Sequence, residues 1–332
     1  MTTTDDLGSR ALRIAMIATG RIADRSLAPA IAGSSEVELW SVFSRDLGRA
    51  RDFAQRHRAA APDPAFDDLA ALLADPDLDA VLIASPDGLH AGQCLEAAKA
   101  GKHVLCEKPM ATTSADAEKM NAACREAGVK LGIAYHLRWH RGHRILHHKV
   151  QAGEFGTLRH LRVQWPILAD PSNWRARPEV GQWWGLAAVG THCIDQIRWM
   201  MRPSCGEILR QGAQITRRVH RGPHDETALI HFEFESGATA ELCTSVLFDA
   251  PRRMEIYGSD GYAICENTLG MQGTGSICTH EGDLPFSIVD PYAEEIEDFS
   301  ASIREDRNPE VDGEEGLRNI ELIERAIASG SP

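Results

Sequence analysis

No stretch of this sequence stays apolar and uncharged over the ~18 residues that a membrane-crossing helix needs. Nor does a basic segment followed by an apolar one open it, so the expectation is a chain without a membrane span, kept in the cytoplasm. Cysteine is scarce: eight in 332 residues, none spaced Cys-x-x-Cys, which removes the usual pattern for zinc or dithiol chemistry. Cys94, Cys124 and Cys193 fall in helical patterns and Cys106 and Cys243 in strand patterns, where a small reduced thiol is a packing residue. Positive charge is also in deficit. Lys and Arg number 35 against 48 Asp and Glu, a net −13. A phosphate backbone requires a concentrated cationic surface to release its counterions, so nucleic acid is excluded as an expected partner. Arg217, Arg218 and Arg221 then read as solvated turn residues. Internal repeats and low-complexity linkers are missing too.

What is present is an ordinary globular composition, 43% hydrophobic and 25% charged, in a chain long enough for two cores. Only the first ten or so residues, rich in Thr and Asp, read as loose. From Arg13 to Ala134 apolar strands alternate with amphipathic helices, the mark of a parallel sheet covered on both faces. Strands are expected at 13–18, 37–44, 80–85, 103–107 and 130–134, with helices at 25–31, 46–57, 67–73, 90–100 and 113–127. Gly101 and Gly128 suit left-handed caps behind the last two helices. After Tyr135 the pattern changes. Strands at 158–165, 208–216, 228–234, 238–246 and 253–257 follow one another through short turns, favouring an antiparallel sheet, with helices at 143–152, 192–201, 292–304 and 314–328. The expected domains are 12–134 and 135–332, the first α/β and the second α+β.

Ala18-Thr19-Gly20-Arg21-Ile22-Ala23 lies between the first strand and first helix, where a dinucleotide fold carries its glycine-rich turn. Gly20 lets the backbone approach a pyrophosphate, and the following helix offers free N–H groups. Thr19, Gly20, Arg21 and Ile22 are therefore candidate cofactor contacts. Ala18 replaces the first glycine of the pattern and demands an unstrained turn there. At the end of the second strand, Ser44 and Arg45, with Arg49 one helical turn on, can receive a 2′-phosphate, which points to NADP. Asp46 is the competing residue, since an acid near this strand end would hold the ribose hydroxyl of NAD.

The segment Gly101 to Pro109 carries the strongest signal: Glu107-Lys108-Pro109 puts a charged lysine directly after a buried strand, before a proline of the kind that takes cis bonds in tight turns. Together with the 18–23 turn, Ser85-Pro86-Asp87-Gly88-Leu89-His90 and Gly190-Thr191-His192-Cys193-Ile194-Asp195, it closely resembles the Gfo/Idh/MocA oxidoreductase family over nearly the whole chain. The resemblance implies a Rossmann domain followed by an α+β domain with a largely antiparallel open-faced sheet that commonly forms a homodimer or homotetramer interface. It implies NAD or NADP, a sugar, inositol or related polyol as substrate, and a site in the cleft between the domains. Lys108 would be the catalytic lysine and His192 the catalytic histidine; Ser85, Pro86 and His90 would line the nicotinamide, and Glu107 and Pro109 would shape the lysine turn.

Chemically, an imidazole can take the hydroxyl proton as hydride leaves a carbinol carbon, and an ammonium can stabilise the alkoxide. Many members of the family carry an Asp where this chain has Ala188, so Asp195 becomes the candidate orienter of His192, with a helix-terminal charge as its other reading. Trp183 and Trp184 stand where many members have glycines and would either stack on sugar rings or pack in the core. Tyr135 and His136 are placed near substrate, Arg138 is an anion anchor or an interdomain salt bridge, and Trp174 and Arg175 are further substrate candidates. His147-His148 lacks a third ligand at metal spacing, so no metal is expected. Two alternatives to a dehydrogenase remain: a catalytically silent protein sensing nucleotide or sugar, and a cofactor-assisted C–O cleavage through transient oxidation.

Overall fold

A computed structural model of the chain describes residues 10–172, 174–177 and 182–330; residues 1–9, which the composition reads as loose, lie outside them. The chain forms two compact units, the first running to Tyr135 and including Tyr292–Arg318, the second holding His136–Pro291 and the residues from Asn319 onward.

In the first unit, β1 (Leu12–Ile17) leads through a π-helical turn (Ala23–Leu27) into α1 (Ala28–Gly33). There follow β2 (Val37–Phe43), α2 (Leu47–Arg56), β3 (Ala65–Phe66), α3 (Leu69–Leu73), β4 (Ala80–Ile83), α4 (His90–Lys99), β5 (His103–Glu107), α5 (Ser114–Ala127) and β6 (Leu131–Ala134). The strands lie in the order β3-β2-β1-β4-β5-β6, all parallel. Every residue of β4 is buried, because helices cover both faces and leave no solvent side to alternate with. Local chemistry sets the element ends: Thr113 caps α5 by accepting the Asp116 N–H, and Gly101 and Gly128 take φ of +73° and +69° behind their helices. Strand order reverses between β1 and β4, so the loops leaving their carboxyl ends diverge and open a crevice.

The second unit contains α6 (Arg141–Gln151), β7 (Leu158–Pro166), a second π-helical turn (Leu186–Gly190) running into α7 (Thr191–Cys205), then β8 (Ile208–Thr216), β9 (Thr227–Phe234), β10 (Thr239–Ser245), β11 (Arg253–Gly258), β12 (Tyr262–Glu266), β13 (Ser276–Thr279) and β14 (Gly282–Asp283). Its sheet has the order β14-β13-β12-β11-β7-β10-β9-β8. Hairpin neighbours are antiparallel, as direct connections require, but β7 and β10 pair in parallel because α7 intervenes as a crossover. The strands from Tyr262 onward escape the sequence pattern, since β12 buries only Ala263 and Cys265, two small side chains that give little apolar signal. In β9, Ala228, Ile230, Phe232 and Phe234 are buried while Leu229 and His231 are exposed, so one face of the sheet is open. On the other side α7 is buried at every position from Thr191 to Met201.

The chain then forms α8 (Pro291–Arg304) and α9 (Gly313–Ser329). The expectation of one domain over 135–332 does not anticipate where α8 goes. Tyr292, Ile296, Phe299 and Ile303 recur at helical spacing and join the core of Leu12, Ile14, Met16 and Leu39 in the first unit.

Candidate active site

At the carboxyl edge of the first sheet, the turn after β1 brings Thr19 and Gly20 to the start of the π-helical run. Ala18 has φ +85°, so the turn is not the unstrained one the alanine seemed to demand; the residue takes a glycine-like conformation, held by its N–H to Phe43 O at 2.9 Å. A Cβ on exposed Gly20 would meet no protein atom within 4 Å, so packing does not require glycine there. An approaching pyrophosphate does, and the residues fit that group. Arg21 is exposed and Ile22 packs against the core. Asp24, in the first turn, is held by His57 Nε2 at 2.8 Å and by Arg56; these partners lower its pKa and offset a charge that would repel phosphate.

After β2, Ser44 is half-buried and Arg45 and Arg49 are exposed. Asp46 is the N-cap of α2: its Oδ1 accepts the Arg49 N–H at 3.1 Å, while Ser44 Oγ accepts the Asp46 N–H at 3.3 Å. After β5, the Lys108–Pro109 peptide bond is cis, and Glu107 Oε2 accepts the Lys108 N–H at 3.1 Å. Glu107 and Pro109 are buried and Lys108 is half-buried. His90 is fully buried, with Nδ1 2.9 Å from Pro109 O and Nε2 2.9 Å from Ser85 O. Both ring nitrogens face carbonyl oxygens, so the expected nicotinamide contact is corrected: His90 ties the Lys108 turn to the end of β4. Ser85 Oγ donates to Gln93 Oε1 at 2.6 Å, a partner the sequence reading missed, and Pro86 beside it is half-buried.

In the second unit, His192 is the second residue of α7 and is 3% exposed. Trp165, at the end of β7, stacks on it with ring centres 5.4 Å apart, and His136 meets it edge-on at 4.9 Å. His136 Nε2 in turn lies 3.1 Å from Gly270 O. Arg252 steadies the far side, its Cζ 5.7 Å from the Trp165 ring and its Nη1 donating to Leu269 O at 3.0 Å. His136 thus packs against His192, and Trp165 and Arg252 are additions that no local motif marks.

One expectation is overturned here. Asp195 does not orient His192: its carboxylate receives Nε and Nη2 of Arg138 at 3.0 and 2.6 Å and Nδ2 of Asn319 at 3.2 Å. Asn319 also accepts from Arg198 Nη1 at 2.9 Å, completing a buried network in which carboxylate and guanidinium satisfy one another. The Arg138–Asp195 pair lies within the second unit. Tyr135 is fully buried at the end of the first unit. Trp183 is buried at 3% exposure and Trp184 at 4%, the latter lining a cavity with its ring 5.5 Å from that of His220. Trp174 and Arg175 share a 3₁₀ turn, the guanidinium lying 4.2 Å over the indole. His147, on α6, stacks on Trp199 at 4.3 Å.

Comparison with known proteins follows the same division. The profile of the GFO/IDH/MocA oxidoreductase family with an NAD-binding Rossmann fold matches residues 12–135, and that of the GFO/IDH/MocA C-terminal domain matches residues 143–264. The chain is similar to 1,5-anhydro-D-fructose reductase of Ensifer adhaerens, 30% identical over 272 residues that cover 78% of this chain and 80% of the relative. It is also similar to myo-inositol 2-dehydrogenase of Thermotoga maritima, 28% identical over 76% of this chain and 78% of the relative. Among solved structures, the aldose-aldose oxidoreductase of Caulobacter crescentus complexed with glycerol superposes with a TM-score of 0.90 at 25% identity, covering 97% of this chain and 98% of that one.

Proposed function

Because the chain belongs to the GFO/IDH/MocA family of NAD(P)-dependent oxidoreductases, we propose that it transfers a hydride between nicotinamide and one carbinol or carbonyl carbon of a sugar, cyclitol or related polyol. The observation that carries this reading is the Glu107–Lys108–Pro109 turn at the carboxyl end of β5, where His90 clamps the lysine turn to Ser85 beside the β1–β4 crevice. The sugar and inositol substrates in the names of its relatives support the substrate class.

Thr19 to Ile22 would hold the pyrophosphate, and Ser85, Pro86 and Lys108 would face the nicotinamide side. Bound nicotinamide supplies the hydride acceptor in oxidation and the donor in reduction. The residues of the chain manage the proton. As a carbinol carbon gives up hydride, its hydroxyl proton passes to the His192 imidazole, and the Lys108 ammonium stabilises the alkoxide that forms. Reduction runs the same transfers in reverse. With Asp195 engaged by Arg138, the rings of Trp165 and His136 pack against the His192 imidazole. Lys108→Met should lower kcat/KM by at least about 100-fold on any polyol turned over by the wild type while retaining nucleotide. If no member of a polyol panel exchanges hydride with the wild-type holoenzyme, the reading fails.

We assign NADP as the cofactor, with NAD the alternative. Asp46 uses its Oδ1 to cap α2, and Ser44, Arg45 and Arg49 stand past β2 as groups that can receive a 2′-phosphate. Mass spectrometry of the nucleotide released on denaturation tests this, and NAD alone would overturn it. The protein is read as cytoplasmic, with no helix among the described residues long and apolar enough to cross a membrane. A homodimer or homotetramer through the open face of the second sheet is the proposed assembly, supported by Leu229 and Tyr262 standing exposed on that face.

A further inference from the structure

The second unit contains a cavity of about 200 Å³ lined by Trp184, His220, His224 and Glu226, with Pro171 and Ala176 completing its wall and Gly222 on its rim. Trp184 supplies aromatic surface. Both Glu226 oxygens are occupied, one accepting the Val219 N–H at 2.8 Å and the other the His220 N–H, so the carboxylate fixes the loop around the cavity. His224 is 7% exposed, and its Nε2 is buried with no hydrogen-bond partner among the described residues. An imidazole nitrogen left so is destabilising unless something that enters the cavity meets it.

These features narrow the ligand. The buried Glu226 carboxylate repels an anion, and with both oxygens already accepting backbone N–H groups it is poorly placed to pair with a cation. No trio of His, Cys, Asp or Glu side chains among the described residues is placed to hold a metal ion, which removes His220, His224 and Glu226 as a metal site. A neutral, hydroxyl-bearing ring remains: its apolar face suits the indole and its hydroxyls suit the imidazoles.

The cavity is also mechanically joined to the chemistry. Asp225, between His224 and Glu226, accepts the N–H of Trp184 at 2.8 Å and of Leu186 at 2.7 Å, at the head of the helical run that carries His192. Gly185 allows this grip, since a Cβ there would stand 2.9 Å from Asp225 Oδ2. Leu186 opens the π-helical turn that runs directly into α7, where His192 is the second residue. The cavity wall and the imidazole are thus distinct places on one stiff segment.

We propose that this cavity is a glycosyl subsite, holding an uncharged sugar ring adjoining the one that reacts, so that the preferred substrate is a glycoside or disaccharide rather than a free monosaccharide. The proposal rests on the polyol oxidoreductase reading. To test it, saturation-transfer NMR on the nucleotide-loaded full chain would compare glucose, galactose and xylose with their methyl glycosides and with cellobiose, maltose and lactose, alongside glucosamine and glucose 1-phosphate. Turnover of the same panel would be followed in parallel. His220→Ala and Gly222→Phe, the second growing into space where a Cβ meets nothing within 4 Å, are the two variants. At least one disaccharide should bind about tenfold more tightly than its component monosaccharide and lose that advantage in both variants, with the disaccharide-to-monosaccharide ratio of kcat/KM falling about tenfold. Equal binding of monosaccharides and disaccharides, or indifference to both variants, would overturn the subsite. So would tighter binding of glucosamine or glucose 1-phosphate than of every neutral sugar. Monosaccharide turnover without a disaccharide advantage would sink the subsite alone, whereas variant-sensitive disaccharide binding without any turnover would sink the oxidoreductase reading alone.

Discussion

Ala18 holds φ +85° where a Cβ is sterically disfavoured, a conformation that costs a non-glycine residue about 1–2 kcal/mol. Glycine would relieve that strain but give back about 0.5–1 kcal/mol in chain entropy. Ala18→Gly should therefore stabilise the first unit by up to about 1 kcal/mol, read as a raised midpoint in urea unfolding; a lowered midpoint would show that the alanine methyl packs favourably. The contrast between Lys108 and Asp195 shows what single residues disclose. Lys108 is legible because its neighbours in sequence, Glu107 and Pro109, are also its neighbours in the turn. Asp195 misleads because its partners Arg138 and Asn319 lie 57 and 124 positions away, whereas His192 is only three residues distant. Sequence proximity on a helix suggested a contact that a better donor, distant in sequence, had already taken.

At the scale of elements, each unit leads into its candidate site through a π-helical turn: Ala23–Leu27 after the Gly20 turn, and Leu186–Gly190 before His192. Such turns carry an extra residue in the helical ladder and recur at functional sites; a hydrophobic period of 3.6 does not reveal them, which is why the first helix was expected only from Arg25. The second turn depends on Asp225, whose pKa burial raises to about 6 although the Trp184 and Leu186 amides and Arg217 pull it down. A carboxyl with its folded pKa above the unfolded value binds more protons in the native state between those two values. Its contribution to stability is fully present below about pH 4 and is lost as pH rises through about 6, some two pKa units or roughly 3 kcal/mol. Asp225→Asn lacks this titration. The difference in unfolding free energy, wild type minus variant, should fall by about 3 kcal/mol between pH 4 and 7. A difference independent of pH, measured by urea unfolding at each pH, would mean that burial does not raise the Asp225 pKa above its unfolded value.

For the whole molecule, the open sheet face bears on assembly. Leu229 and Tyr262 are 45% and 40% exposed there, and cross-strand pairs such as Arg162–Glu241 surround them with polar groups. An assembly through this face should give a dimer or tetramer mass by light scattering, and Leu229→Arg should shift it toward monomer; a wild-type monomer at micromolar concentration would refute the assembly. The alternation of buried strands and amphipathic helices before Tyr135, the glycine turn and the lysine–proline turn were settled by the sequence alone, because each depends on contacts or backbone preferences within a few residues. The tertiary structure alone decided that α8 joins the first core, that β7 and β10 run parallel, that Asp195 serves Arg138 rather than His192, and that His224 faces a cavity with Trp184. Those outcomes turn on which distant groups bury apolar surface or satisfy a buried charge together, and neither periodicity nor spacing encodes that choice.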